Sequence, residues 1–371
     1  MNFICMRQSL IEILSIADSI ISAKNNFTSQ SNILLQVKDS KLKVSAFETK
    51  INFLAEIGVD VIQEGEIAVF CKKFYSIIKS FDCEEVSIKT NEHGNIILSP
   101  KENTNIQYDL KTLDSDKLPR IEEPIDIEFI SLPQQIFVNM IKKTIISISL
   151  TENRRFISGI YFETIDNSIK MVSTDGKRLS FTECDFDIKK SFENGIIVPP
   201  KILQEIIRLS KNNGDLLLGI SDKNIHIKID NFYFVSNLLD GDFPPYKKVI
   251  PMDQLYSFKV NTSLLNKSLN RISLIGDKES HRIIFELNNN LLKIYTEDIS
   301  HGSGKEVIDV EYNGDQFEVA LNYSFIIDAL SVISTEKTIF EFKDANNTIT
   351  MKEDDNDKFI YIMMPMSKVT S

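Results

Sequence analysis

One short pattern occurs three times along the chain, and it restricts the possible folds more than any other feature. Each copy has an apolar residue, a lysine and then a run typical of a β-strand. The three lysines, Lys43, Lys170 and Lys293, are 127 and 123 residues apart. Three polar hairpin turns, each followed by a short alternating strand, repeat at nearly the same spacing. A period near 125 residues is too long for a solenoid repeat and suits a whole domain.

Two acidic segments that contain proline separate the repeats. Residues 113–119 end the first repeat, and residues 239–245 end the second. Proline and acidic residues favour exposed connections over regular structure. We therefore predict three similar domains, at 1–125, 126–250 and 251–371.

Within each repeat, two windows have the apolar periodicity of a helix, and the rest alternates like strands. The windows are 9–24, 71–80, 133–149, 199–211, 262–274 and 322–333. Ser9 with Glu12 predicts a capping box for the first helix, and Thr262 or Ser263 a cap for the fifth. The predicted fold class is α+β, with two helices packed on antiparallel sheet in each domain.

Charge is divided unequally between the helical windows and the remainder. The windows contain eleven basic and four acidic residues, a net charge of +7, whereas the whole chain has −11. The remainder therefore carries −18. One interpretation is that lysine favours helices and loops collect aspartate. The other is a basic helical face for a polyanion, weakened in the third repeat because window 322–333 has no Lys or Arg.

The sequence lacks the usual signatures of catalysis, metal binding and membrane insertion. Neither the four histidines nor the four cysteines have the spacing of a metal site, and no phosphate-binding loop or nucleophile elbow is present. We expect neither a cofactor nor a metal. The scattered cysteines, and the absence of a signal peptide or a long apolar run, predict a cytoplasmic protein.

Two segments stand out in the sequence, and the first lacks an equivalent in the other repeats. Ser173–Leu179 has the sequence STDGKRL, which by itself is typical of a β-turn with solvated basic residues. The end of the chain has three methionines around Pro365, which suits either a core or an adaptable binding surface. Both interpretations remain open from composition alone.

Several motifs together resemble the family of bacterial DNA polymerase III β subunits, the sliding clamps. They are residues 31–37 (SNILLQV), 154–163 (RRFISGIYFE), 174–179 (TDGKRL), 198–201 (VPPK), 239–251 (LDGDFPPYKKVIP) and 364–366 (MPM). They are spread from residue 31 to the end in the order and spacing of the family. The combination is specific, although each motif alone is not.

The resemblance implies a head-to-tail homodimer that forms a ring around DNA. Helices from both chains line the hole, which at a helix spacing of about 9 Å is about 25 Å wide. The DNA-facing residues implied are Lys24, Lys72, Lys73, Lys79, Arg154, Lys201 and Arg208. At the dimer interface, Tyr108 and Leu110 are expected to meet Leu274 and Ile275 of the partner chain.

The resemblance also implies a groove between the second and third domains that binds short Gln-Leu-x-Leu-Phe type segments. Its expected lining is Ile157, Thr174, Gly176, Lys177, Arg178, Leu179, Pro244, Val249, Ile362, Met364, Pro365 and Met366. Leu179, Val249, Ile362 and Met364 are expected to form its apolar pocket. Two features depart from the family: Lys177 replaces a common histidine, and residues 367–371 extend past the usual terminus.

The expected function is therefore a sliding clamp that gives a polymerase processivity and catalyses nothing itself. Expected partners are duplex DNA of any sequence, a second copy of the chain, the replicative polymerase, the clamp loader, repair polymerases and mismatch-repair proteins. The alternatives are a scaffold of the same fold that does not encircle DNA, and an enzyme with a divergent site.

Overall fold

The computed structural model describes residues 1–21, 31–124, 126–149, 154–186, 195–211, 213–221, 223–298, 302–354 and 356–367. The chain divides into two compact units. One contains Met1–Gln134 and Gln204–Leu238, and the other contains Gln135–Leu203 and Leu239–Ser371. The second repeat therefore contributes to both units.

The first repeat contains two helices and ten strands in its described residues. They are β1 (Asn2–Met6), α1 (Arg7–Ile20), β2 (Asn32–Lys38), β3 (Lys41–Phe47), β4 (Ile51–Gly58), β5 (Asp60–Gln63), β6 (Gly65–Phe70), α2 (Cys71–Ser80), β7 (Glu85–Thr90), β8 (Ile96–Pro100), β9 (Tyr108–Leu110) and β10 (Thr112–Leu113).

The second repeat follows the order of the first without counterparts of β5 and β10 in its described residues. Its described elements are β11 (Phe129–Pro133), α3 (Gln134–Ile145), β12 (Ile160–Ile165), β13 (Ser168–Thr174), β14 (Arg178–Asp185), β15 (Ile196–Val198), α4 (Pro200–Leu209), β16 (Asp215–Ile220), β17 (Asn224–Ile229) and β18 (Phe232–Asn237).

The third repeat has the order of the first, without a strand after its last hairpin in the described residues. It contains β19 (Tyr256–Asn261), α5 (Thr262–Ile272), β20 (Arg282–Asn288), β21 (Leu291–Asp298), β22 (Gly302–Asp309), β23 (Glu311–Tyr312), β24 (Phe317–Asn322), α6 (Tyr323–Leu330), β25 (Lys337–Phe342), β26 (Ile349–Glu353) and β27 (Asn356–Met363). The repeated order confirms the α+β class and the threefold similarity.

The described strands form four antiparallel sheets. In the first unit their orders are β5-β1-β7-β8-β9 and β10-β6-β2-β3-β4-β18-β17-β16-β11. In the second unit they are β15-β12-β13-β14-β27-β26-β25-β19-β23 and β22-β21-β20-β24. Each nine-stranded sheet thus joins two repeats.

The two joins use equivalent strands. In the first unit β4 pairs with β18, which places Phe53 opposite Phe234. In the second unit β14 pairs with β27, which places Phe181 opposite Ile360. In both cases the fourth strand of one repeat meets the last hairpin strand of the next. We call these pairs the first and second junctions.

All six predicted helical windows contain helices, but five of them have ends that differ from the prediction, and two predicted caps are wrong. The bounds predicted for α2 are confirmed. The capping box is wrong, because α1 begins at Arg7 and its N-cap residue Met6 makes no side-chain bond. The cap predicted for α5 is also wrong: the Asn261 side chain accepts a hydrogen bond from the Leu264 amide at 2.9 Å. Asparagine is among the best N-cap residues, and it lies one position before the predicted cap.

Helical apolar faces provide much of the core. Leu10, Ile13, Leu14, Ala17 and Ile20 of α1 are all buried, as their spacing predicts. None of the helices in the described ranges is long and apolar enough to cross a membrane.

Candidate functional site

The turn between β13 and β14 is held by its own side chains. The Asp175 carboxylate accepts hydrogen bonds from the amides of Lys177 and Arg178 at 2.9 and 3.0 Å. The Thr174 hydroxyl donates to the Arg178 carbonyl at 2.6 Å and accepts from the Gly176 amide at 3.1 Å. Gly176 has φ +88°, a conformation that side chains with a Cβ disfavour. The β-turn predicted for this segment is therefore present.

Arg178 attaches this turn to the third repeat. Its guanidinium donates to Asp175 at 3.0 Å and to Asp328 of α6 at 2.6 Å. It also lies 4.3 Å from the centre of the Phe325 ring and donates to the Tyr361 hydroxyl at 3.3 Å. Burial lowers its pKa, but Tyr361 and Asp328 raise the pKa of Arg178 above its ordinary value overall. Because its side chain is only 11% exposed, Arg178 mainly stabilises the contact between this turn and the third repeat.

The sequence did not reveal the partners of Arg178. Asp328, Phe325 and Tyr361 lie about 150 residues or more from Arg178 along the chain. Phe325 and Asp328 are three residues apart on α6, so they lie on one helix face. This spacing indicates a shared helix face, but nothing in the sequence near Phe325 and Asp328 connects that face to the turn.

The chain's last strand runs beside this turn. β27 pairs with β14, with Leu179 opposite Ile362, and the Met364 amide then donates to the Lys177 carbonyl at 2.9 Å. The Met366 amide donates to the Ala320 carbonyl at 2.8 Å. These bonds hold the MPM segment along the surface of the second unit.

An apolar cluster lies between the turn, the last described strand β27 and the connector after β18. Its buried members are Val172, Leu179, Phe181, Tyr246 and Ile362, and Phe243 and Ile250 pack against it. Tyr246 donates a 2.6 Å hydrogen bond to Glu163, and burial together with this carboxylate raises the pKa of Tyr246. The connector is thereby fixed over β14.

The predicted groove residues are partly buried and partly exposed. Leu179 and Ile362 are 3% and 2% exposed, so they form the floor of the junction. Val249 and Met364 are 46% and 55% exposed, which leaves apolar surface at the rim. Gly176 and Lys177 are exposed, and Thr174, Pro244, Pro365 and Met366 are half-buried. Ile157 is buried at the end of the 3₁₀ helix Arg155–Ile157, and residues 368–371 of the predicted tail lie outside the described residues.

The predicted DNA-facing residues lie mostly on exposed helix faces. Lys72, Lys73 and Lys79 are exposed on α2, opposite its buried residues Cys71, Phe74 and Ile78. On α4, Lys201 is half-buried, while Arg208 is exposed and pairs with Glu205 at 2.7 Å. Arg154 is exposed beside Gly176, and Lys24 falls outside the described residues.

One lysine of the predicted basic face is turned inward. Lys143 of α3 is buried and forms a 2.7 Å ion pair with Glu353 at the end of β26. Burial raises the pKa of Glu353, but hydrogen bonding and the charge of Lys143 keep it below its ordinary value. Counting Lys143 with a polyanion-facing set was therefore wrong. The six observed helices hold ten basic and four acidic residues, so their excess of positive charge persists.

Three of the four predicted interface residues lie on or against the end strand of a sheet. Tyr108 and Leu110 belong to β9, the last strand of its sheet, and Tyr108 is 45% exposed. In the other unit, Leu274 is 82% exposed just after α5. Ile275 packs against the edge strand β22, since its Cγ2 lies 2.7 Å from the position that a Cβ would occupy on Gly304.

Comparison with known proteins identifies the family. Family models of the DNA polymerase III beta subunit match residues 1–122 (N-terminal domain), 131–245 (central domain) and 247–367 (C-terminal domain). The chain belongs to the DNA polymerase III beta subunit family.

Full-length relatives agree with this assignment. The beta sliding clamp of Treponema pallidum is 31% identical over 370 residues, which cover 99% of both chains. The crystal structure of the DNA polymerase III subunit beta from Pseudomonas aeruginosa has a TM-score of 0.92 at 26% identity, covering 99% of this chain and all of that one. The Borrelia burgdorferi subunit, solved in complex with a natural product, has a TM-score of 0.93 at 25% identity, covering 99% of both chains.

Family membership defines the role of the chain in general terms. DNA polymerase III beta subunits are processivity factors of replication, so the chain works with DNA and a polymerase and has no catalytic step of its own. In the part of the chain that the structure describes, no group of three His, Cys, Asp or Glu residues is arranged to hold a metal ion.

Proposed function

We propose that two copies of this chain close head to tail into a ring that slides along duplex DNA and carries a polymerase. The observation that supports closure most strongly is the pattern of free strands. A β4-type strand joins a β9-type strand at both junctions within the chain. The remaining strands of these types, β22 and β9, are both end strands of their sheets.

The same pairing rule, applied between chains, joins β22 of one copy to β9 of the next. Such a join continues the sheet and removes edges that otherwise favour aggregation. Exposed Leu274 and Tyr108 supply apolar surface beside these edges, and Ile275 buttresses β22 at Gly304. A head-to-tail interface of this kind forms a closed ring when the rotation that relates one copy to the next returns to the starting copy.

The helices are proposed to line the hole of this ring. Their excess of basic over acidic residues, with Lys72, Lys73 and Lys79 exposed on α2, attracts phosphates without reading bases. The acidic remainder of the chain disfavours DNA elsewhere on the surface. The ring is thus held on DNA by its topology and is free to slide.

The rim at the second junction is proposed to bind short partner segments. Exposed Met364 and Val249 lie above the buried floor of Leu179 and Ile362, so an apolar side chain of a partner gains contact on binding. Lys177 adds a positive charge at this rim. The proposed users are the replicative polymerase, the clamp loader, repair polymerases and mismatch-repair proteins. We also propose domain limits near residues 125 and 250 and a location in the cytoplasm, at the nucleoid.

Retention on DNA of different topology tests the proposal. After loading with a clamp loader onto nicked circular DNA, the protein is expected to co-elute with the circle in about 0.5 M salt, where simple phosphate contacts are strongly weakened. Cutting the circle once should release it. Retention on the linear product would contradict sliding by topology. Failure to be retained on the circle, with intact binding of partner segments, would instead favour a scaffold that does not encircle DNA.

A further inference from the structure

In the described residues of the third repeat, the start of β19 has no neighbouring strand on one side. In the first repeat, β5 covers β1 at Asn2, Phe3 and Ile4. In the third repeat, the equivalent β23 has only two residues and covers β19 only at Phe258 and Lys259. Tyr256 and Ser257 begin β19 and pair with β25 on the other side, so in the described residues they have no neighbouring strand on the β23 side.

A cavity of about 690 Å³ lies along this open edge. Its lining includes residues 255–259 of the segment that enters β19, residues 309–313 around β23, and Asn290. Alternate residues of a strand direct their amide and carbonyl groups to each side. The start of β19 therefore presents backbone groups that a further strand satisfies.

Apolar side chains are exposed beside the cavity. Met252 and Leu255 are 94% and 67% exposed, and Tyr256 is 39% exposed with its ring stacked on Phe342 at 5.7 Å. Three large apolar residues within five positions are thus exposed to water, and two of them, Leu255 and Tyr256, line the cavity.

The charge around this edge is negative. Lys259 is paired with Asp354 at 2.7 Å, and Glu311 is paired with Lys337 at 2.5 Å. Asp309 and Asp315 are exposed, and neither has an ion pair within the described part of the chain. The surplus of carboxylates favours a basic ligand.

We propose that the open edge of β19 binds an extended basic segment of a partner protein, which adds to the sheet as a short strand. Its apolar side chains cover Leu255 and Tyr256, and its lysine or arginine side chains face Asp309 and Asp315. This site uses the edge of the third repeat, so it is separate from the rim around Met364 and does not rest on the proposed ring or groove.

Fluorescence anisotropy on the full-length protein tests this site with a defined probe. A labelled heptapeptide of alternating lysine and valine is expected to bind saturably. Its counterpart of alternating glutamate and valine is expected to bind roughly tenfold more weakly, because its charge has the wrong sign. A Lys-Val probe with a central proline is also expected to bind more weakly, because proline removes a strand donor. Absent saturable binding of the Lys-Val probe, or equal binding of all three, overturns the proposal.

Variants locate the binding. Leu255→Asp is expected to weaken the Lys-Val probe roughly tenfold through loss of apolar contact. The matched control is Ile62→Asp on β5, because its side chain is 63% exposed but lies outside the proposed site; no change is expected. Asp309→Lys is expected to bring the affinities for the Lys-Val and Glu-Val probes closer together, because it replaces a negative charge at the site with a positive one. Equal losses in Leu255→Asp and Ile62→Asp would show nonspecific attraction to an acidic protein and overturn the proposal.

Two further readouts distinguish this edge from the groove and from a contact between copies of the chain. Met364→Ala is expected to leave probe binding unchanged; a loss there would assign the probe to the groove and contradict a separate site. If Leu255→Asp changes the native mass while the wild type binds no probe, a second copy of the chain covers the edge, which also overturns the proposal. Circular dichroism melts should show that the exposed substitutions leave folding intact.

Discussion

The two junctions have the same backbone pairing but different side chains. At the first, the Asn237 amide donates to the Lys50 carbonyl at 2.9 Å; at the second, the Met364 amide donates to the Lys177 carbonyl at the same distance. Asn237 is polar and exposed, whereas Met364 places apolar surface at the same position. The repeat thus separates what the fold requires, which is the backbone bond, from what one junction adds.

The buried side chains differ as well. Lys143 is the tenth residue of α3 and Glu353 is the last of β26, and they form a buried ion pair in the second unit. The equivalent positions in the first unit, Ile16 of α1 and Ile229 of β17, are apolar and buried. Because both solutions fold, the ion pair is a feature of the second junction and not of the fold.

Replacing one member of this pair should have the largest effect on stability. Lys143→Met leaves the Glu353 carboxylate buried without its cation, which we expect to lower the free energy of unfolding by about 3–4 kcal/mol. Urea denaturation measures it. The control is Lys142→Met, on an exposed neighbour, with an expected change below about 0.5 kcal/mol.

Copying the first junction sharpens the same comparison. The double variant Lys143→Ile with Glu353→Ile is expected to recover most of the loss, to within about 1 kcal/mol of wild type, because two isoleucines occupy these positions in the first unit. A double variant as unstable as the single one would show that the two junctions are not interchangeable in this way.

Arg178 is the next largest difference between the junctions. Arg178→Ala removes the bonds to Asp175, Asp328 and Tyr361 and should cost about 2 kcal/mol by urea denaturation. Lys177→Ala, one residue away and exposed, should leave stability unchanged within about 0.5 kcal/mol. Equal effects of the two changes would mean that the guanidinium contacts do not hold the turn.

The rim residues should affect binding without affecting folding. Met364→Ala with Val249→Ala removes exposed apolar surface, so a Gln-Leu-x-Leu-Phe type peptide should bind roughly tenfold more weakly by fluorescence anisotropy. Asn237→Ala changes the equivalent position of the first junction and should leave affinity unchanged. Unaltered affinity in the double variant would show that Met364 and Val249 do not form the peptide-binding groove.

The smallest expected effect is a pH dependence confined to the first unit. Burial lowers the pKa of His226 below its ordinary 6.5, and its ring bonds to Tyr233 at 2.8 Å and Ser221 at 3.1 Å. The unfolded chain therefore binds this proton more readily. The stability that His226 contributes is complete above pH 6.5 and declines as the pH falls below it. As the pH is lowered from about 7.5 to 5.5, the melting temperature should fall more in the wild type than in His226→Gln. An equal fall in the two proteins would show that His226 does not cause the pH dependence.

The sequence predicted the features that depend on local pattern or on repetition. The apolar stripe of α1 and the limits of α2 follow from helical spacing, and the threefold order follows from the repeat. The burial of the Lys143 side chain could not be predicted, because its partner Glu353 is 210 residues away. The role of Arg178 was hidden for the same reason, since Asp328 lies 150 residues further on. Lysine and arginine look alike in a charge count whether they face solvent or a buried carboxylate.

Native mass at low protein concentration is the most direct test of the central claim that β22 and β9 join separate chains. Ring closure predicts a species of twice the 42.4 kDa chain mass, which Leu274→Asp converts to single chains because it places a carboxylate at the join. A wild-type protein that remains a single chain, or that forms an open series of larger assemblies, would contradict ring closure.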